Sequence, residues 1–305
     1  EHITMGGMTR AQKKKYPIEH WSYSSLMSFL RNPLAWHKRY VEKVYDLPST
    51  PSSIVGRAGH KALEHYYSVV SEDRKSYHFY DRTNVQSKVS EKPYHLVKES
   101  SIEFGLHYLR TISDFEIDFG KAESERAKRA KRKAMEEEYL QAIGFYLARA
   151  PRHRVLGVEV MATARVKGLP LPVKAISDLV VESKGNPGYV DIVDHKFVDS
   201  FSALGADKPL FVLQALFNYY TVLQEFKLPV KRFIVQECKK KKNRNGGSQM
   251  KRSVIEYEQY AEDFEVFRRL IRDASAEIAR PRKYLPNPSD MFEGKNTFEI
   301  YRLEL

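Results

Sequence analysis

Apolar positions in this chain follow two periods. Between residues 154 and 197, β-branched and aromatic residues gather in three short runs, at about 154–167, 173–182 and 189–197. The last two are divided by Ser183-Lys184-Gly185-Asn186-Pro187-Gly188, which is turn chemistry. The pattern predicts three strands, the second and third joined as a hairpin. Similar runs predict strands at 230–238 and 252–257. Elsewhere apolar residues recur at helical spacing, predicting helices over 22–41, 56–70, 121–150 and 208–226, and near 96–112 and 259–279. In the last helix Phe264, Phe267, Leu270 and Ile271 share one face and read as core. A Pro/Ser-rich connection, 47–53, separates the first two helices. Residues 71–95 are polar and Tyr-rich without clear period, and read as an extended surface segment. No internal repeat is visible. The expected class is α/β: one domain over 20–305, with a central mixed β-sheet flanked by helices. A helical insertion at about 71–150 is expected to wall or arch over a cleft. Residues 1–19 read as a flexible N-terminus; Glu1 to Gly7 do not look like a natural start, and Met5 or Met8 are candidate initiators.

Side chains alternate faces along a strand, so Ile192, Asp194 and Lys196 share one face, and Asp191, Val193 and His195 the other. If Asp178 lies across the hairpin from Asp194, the two acids can hold a divalent cation. Hard cations such as Mg²⁺ prefer oxygen ligands. Lys196, one pleat away, is placed to act on a water or on developing negative charge. The bland alternative is a solvated sheet edge, because Asp-x-Lys is a common sequence. Asp191 and His195 face away and read as structural.

The pattern resembles the PD-(D/E)XK nuclease superfamily, specifically its RecB-type exonuclease branch. Ser177-Asp178 stands for that family's proline-aspartate, and Asp194-His195-Lys196 for its second element. Upstream, Gly56-Arg57-Ala58-Gly59-His60 is similar to the glycine-x-x-x-histidine element whose histidine ligates metal. Glu159 resembles the glutamate of the strand before the hairpin, and Gln214 the glutamine of a Gln-x-x-x-Tyr helix. Here Asn218 takes the tyrosine's place, and Tyr219 and Tyr220 follow it. At the ends, Ser22-Tyr23-Ser24-Ser25-Leu26 through Asn32-Pro33 and Trp36, and Tyr284-Leu285-Pro286-Asn287-Pro288-Ser289, resemble segments that join at a [4Fe–4S] cluster in some members. Such a cluster takes four cysteines. This chain has one, Cys238, so no iron–sulfur cluster is expected.

The resemblance implies a restriction-endonuclease-like core and phosphodiester hydrolysis by a metal-activated water. His60, Asp178 and Asp194 would ligate Mg²⁺ or Mn²⁺, with the backbone carbonyl of His195; Glu159 would be an outer or direct ligand. Lys196 would orient the nucleophile or stabilise charge on the phosphorane. Gln214 would position substrate or Lys196. Without the family pattern, His60 reads as a capping or surface group at a helix start. Glu159 would then be a solvent-facing strand residue, and Gln214 an internally satisfied amide.

Composition agrees with a polyanionic partner. Lys and Arg outnumber Asp and Glu by 51 to 39 in 305 residues, a net charge of +12. Arg126, Arg129 and Lys133 fall on the basic half of the 121–150 helix. Lys240, Lys241 and Arg244 fall in what reads as a flexible hairpin loop. All six are candidate nucleic-acid contacts, the alternative being solvated surface. A single cysteine fits a reducing, cytoplasmic setting, bacterial or phage-infected. No apolar run is long enough to span a membrane. The expectation is an exonuclease acting on single- or double-stranded DNA in recombination, repair or genome processing, with a helicase or recombinase as candidate partner. A structure-specific endonuclease or a silent nucleic-acid-binding subunit are the competing readings.

Overall fold

A computed structural model of the chain describes residues 15–43, 48–77, 84–202 and 208–287. The candidate starts Met5 and Met8, Leu47 of the first connection, and Pro288-Ser289 lie outside them. The strand patterns form β2 (Val155–Ala164), β3 (Val173–Glu182), β4 (Val190–Val198), β5 (Val230–Lys239) and β6 (Met250–Glu256). With the two-residue β1 (Trp21–Ser22) they make one mixed six-stranded sheet.

Its connectivity leaves a gap. β2 opposes β3 from Ala164↔Val173 to Val155↔Val181. β3 pairs with β4 only from Glu182↔Val190 to Leu179↔Val193. β1 lies parallel to β3 at Trp21↔Val173 and Ser22↔Lys174. Because β2 fills one edge of β3, β1 and β4 must share the other. Residues 175–178 have no strand partner on that shared edge, so the sheet is split there. β4 continues beside β5, parallel, through Val198↔Lys239, and β6 closes the far side antiparallel.

Helices cover both faces. α3 (Pro51–Tyr77), α4 (Asn84–Thr111) and α5 (Glu125–Ala148) pack a core against Leu179, Val181, Val193 and Ile234. α1 (Tyr23–Arg31), α6 (Lys208–Phe226) and α7 (Ala261–Ile278) pack a second core against Val180, Val190, Ile192 and Phe233. Neighbouring residues of β4 therefore enter opposite cores, Val193 one and Val190 and Ile192 the other, so the strand is buried on both faces. Full burial of each such side chain contributes roughly 1.5–3 kcal/mol.

The alternation slips beside the acids. Val173 and Ala175 pack with the α6 core, but Leu179 and Val181, of the same parity, pack with the other. On β2 the same change falls between Val158 and Val160. Glu159, between them, has a φ of +48°. A non-glycine residue held there costs on the order of 1–3 kcal/mol, and such strain gathers at functional sites.

Several expected helices are redrawn. Residues 71–95 are largely helical: α3 runs on to Tyr77 and α4 starts at Asn84. α5 starts at Glu125 rather than 121, because Gly120 turns with φ +58° and the Ser124 hydroxyl caps the Ala127 N–H. The 22–41 helix breaks at Asn32, whose side chain accepts from Ala35 N and starts α2 (Pro33–Trp36). Proline at N1 needs no amide partner there. A π-helical turn, His37–Glu42, follows. The second half of α5 is core, burying Tyr139, Ile143 and Tyr146. No helix among the described residues is long and apolar enough to cross a membrane.

Candidate active site

The split in the sheet gathers the chemistry. Glu159 and Asp178 are directly opposed, since Val158↔Leu179 and Val160↔Ser177 flank them. His60 reaches them from α3. It stands mid-helix, not at a helix start, because α3 begins at Pro51. Gly59 lets α3 lie this close: a Cβ there would sit 2.3 Å from the Phe197 ring of β4. At Gly56 a Cβ would meet nothing within 4 Å.

One ligand atom from each of His60, Glu159 and Asp178 lies within 4.8 Å of the others. His60 Nδ1 is 3.4 Å from Asp178 Oδ2, which also accepts from His195 N at 2.7 Å. In an extended residue the N–H and C=O point to one edge, so the His195 carbonyl also faces the split. The trio differs from the expected His60, Asp178 and Asp194. Beyond Leu179 the β3–β4 pairing ends while β2 stays opposed to β3, so Glu159 joins Asp178. Asp194 stands beside them, its Oδ2 2.9 Å from Lys196 Nζ and its Oδ1 accepting from Gln214 Nε2 at 2.7 Å. Gln214 Oε1 accepts from Lys196 at 3.2 Å, closing a triangle of acid, amine and amide.

The electrostatics follow from burial and crowding. Burial, then the Asp178 charge, pushes Glu159 up to about 7. Burial, then Asp194, holds Asp178 well above the carboxylate range. Burial lowers His60 and drives His195 far down, so both imidazoles are neutral at pH 7. Burial opposes the Lys196 charge, but Asp194 outweighs it and the pKa rises. Two acids and a neutral imidazole converge with too much negative charge for their surroundings. That donor set fits a divalent cation.

Departures from the family pattern meet one another. Ser177 Oγ donates to Asn218 Oδ1 at 2.7 Å, and Asn218 Nδ2 donates to Gln214 O at 2.9 Å. The pair ties the residue before Asp178 to the helix of Gln214. Tyr219 and Tyr220 are taken up in an aromatic cluster with Tyr257, Phe264 and Phe267. Asp191 is structural, held bidentate by Arg232. The His195 ring is 2.8 Å from Tyr146 OH, which is 3.0 Å from Tyr67 OH. That buried chain backs the peptide N–H that fixes Asp178, and sequence spacing gave no sign of it. Tyr23 was also missed. Burial raises its pKa, and the nearby Lys196 and Asp194 charges act on it. It follows directly on β1, whose Ser22 pairs with Lys174 of β3.

The predicted basic contacts divide. Lys240 is 1% exposed and paired with Asp199 at 3.2 Å, its ammonium also bonded to Ser52, so it is not a surface contact. Lys241 is exposed and 3.4 Å from Glu138. Arg126, Arg129, Lys133 and Arg244 are exposed. The loop expected to be flexible is braced by Asn243 Nδ2 to Ser248 O and by Gln249 Nε2 to Lys239 O and Lys241 O. Where a cluster would join the chain ends, Asn287 Nδ2 donates to Arg31 O, Leu34 N donates to Leu285 O, and Tyr284 stacks on His37. Cys238 is buried elsewhere, its thiol pushed up to about 12 by burial.

Eight solved chains match this one. One is the crystal structure of a "Putative exonuclease" from Eubacterium rectale, 13% identical, with a TM-score of 0.43 over 94% of this chain and 90% of that one. The curated proteins contain no match. The model of the PD-(D/E)XK nuclease superfamily matches residues 20–291. With nearly the whole described chain inside that match, the protein belongs to the PD-(D/E)XK nuclease superfamily.

Proposed function

We propose that the chain is a metal-dependent DNA nuclease, acting as an exonuclease on DNA ends. The observation that carries this is the meeting of His60, Glu159 and Asp178 at the sheet split, next to a lysine held by Asp194 and Gln214. A divalent cation held by the trio, with Asp194 and the His195 carbonyl beside it, would polarise the phosphate and lower the pKa of a bound water. One imidazole among carboxylates suits Mn²⁺ at least as well as Mg²⁺.

The chain's own residues supply the rest. Lys196 keeps its proton through the charge of Asp194, so it presents a cation to a water or to charge growing on phosphorus. Gln214 fixes the Lys196 ammonium and Asp194 relative to one another, as its two hydrogen bonds require. The His195 N–H holds Asp178 Oδ2, the oxygen that faces His60, and so fixes the carboxylate in the split.

End-labelled linear and matched circular DNA, single- and double-stranded, should be incubated with Mg²⁺, Mn²⁺ or EDTA. Loss of linear DNA alone, dependent on metal, is the expected result. Cutting of circles would replace the exonuclease with an endonuclease using the same site. No cleavage with any metal would remove the catalytic reading.

A further inference from the structure

The β2–β3 hairpin has an unexplained face. Past the acids, Met161 pairs with Ile176, and Thr163 with Lys174. Met161 is 63% and Ile176 54% exposed. Their neighbours are not: Ala162 is buried, Ala164 and Val173 enter the α6 core, and buried Ser177 bonds to Asn218 of α6. Two apolar side chains therefore stand together in solvent, two residues along each strand from Glu159 and Asp178. Nothing in folding requires this, because a β-strand tolerates polar residues on an open face. Lys174 follows, about 13 Å from Asp178 along the strand at ~3.3 Å per residue. His20 lies near enough for the Lys174 charge to act on it.

The order along the face is acids, apolar pair, then cation. It suits one partner chemistry. A polynucleotide strand carries phosphate, then sugar and base, then phosphate again. We propose that the DNA strand entering the site lies along this face as a single strand. Met161 and Ile176 pack under the sugar or base next to the scissile phosphate, and Lys174 receives a phosphate farther back. Ile and Met side chains wedge against partly unstacked bases in other nucleic-acid complexes. The inference rests on the nuclease reading and deepens it, making the unpaired strand the form that fits.

The test uses the full chain and a fluorescein-labelled single-stranded oligothymidylate. Binding is read by anisotropy in EDTA, and steady-state cleavage is read with Mn²⁺. Met161→Ser with Ile176→Ser should weaken binding about tenfold and raise KM with kcat little changed, while Met161→Leu with Ile176→Leu should keep both. Lys174→Gln should weaken binding severalfold and reduce the salt slope by about 0.7. Unfolding curves matching wild type would show that each variant folds. Wild-type binding and KM in the double serine variant would overturn the inference and leave the nuclease reading standing. So would a wild-type dimer in sedimentation that the same substitutions dissociate, since the face would then join copies of the chain. Wild type that neither bound nor cut DNA would overturn both.

Discussion

Glu159 concentrates the physics of the site in one residue. It holds a left-handed φ, opposes Asp178, and keeps its proton to about pH 7 where an ordinary glutamate titrates near 4.5. Between those values the folded state binds more protons than the unfolded state, so this residue's contribution to stability falls as pH rises from 4.5 to 7. The lowered His60 and His195 act oppositely, costing stability as pH falls below 6.5. The clean observable is thus a difference. Without metal, Glu159→Gln should gain on wild type in thermal stability between pH 5 and pH 8. Excess Mn²⁺ should reverse the order at pH 8, because ligation needs the carboxylate. A difference that does not vary with pH would show that Glu159 titrates normally. Sequence alone found the residue only through the family pattern. A strand glutamate usually faces solvent, and no spacing reveals a positive φ.

At the scale of elements, the split edge of β3 decides where everything goes. The β3 boundaries were legible at 173–182, since a β-branched run between turns leaves little choice. The register of Asp178 was not. Alternation placed Asp194 and Lys196 together correctly, but assumed that β4 stays beside β3 past Leu179. It leaves there, and β2 sets Glu159 opposite Asp178, with Asp194 beside them. The α3–β4 contact is the other element-level device. Gly59→Ala would drive a methyl into the Phe197 ring. The overpacking costs about 1–3 kcal/mol, and lifting His60 by even ~1 Å should reduce cleavage about 10²-fold. Circular dichroism melting and initial rates would measure the two effects separately. Wild-type rates in a folded variant would mean that His60 does not depend on this approach. The helices over 71–95 were missed because charged and aromatic residues masked any period.

Over the whole molecule, net charge pointed to a polyanion but did not say which lysines face it. Lys240 looked like part of a basic loop, yet its ammonium is buried against Ser52 and Asp199, joining the start of α3 to the end of β4. Lys240→Ala should destabilise the fold by about 1–3 kcal/mol, since it opens a buried polar cluster. Lys241→Ala should leave stability within about 0.5 kcal/mol. Denaturant unfolding of the two variants checks this, and equal midpoints would place Lys240 on the surface after all. The α/β class and the five longer strands were readable, whereas several helix bounds and the short β1 were not. The family pattern pointed to the two chain ends, but not to the contacts of Asn287, Leu285 and Tyr284 with α1 and its continuation that join them.

The most direct test of the site is Mn²⁺ affinity by calorimetry, paired with single-turnover cleavage, for wild type, Asp178→Asn and Lys196→Ala. The geometry predicts that Asp178→Asn loses both ion binding and cleavage. Lys196→Ala should still bind the ion while cleaving about 10²–10³-fold more slowly, as loss of one stabilising donor implies. Full Mn²⁺ affinity in Asp178→Asn, or undiminished cleavage in Lys196→Ala, would contradict the assignment of the metal trio or of the lysine.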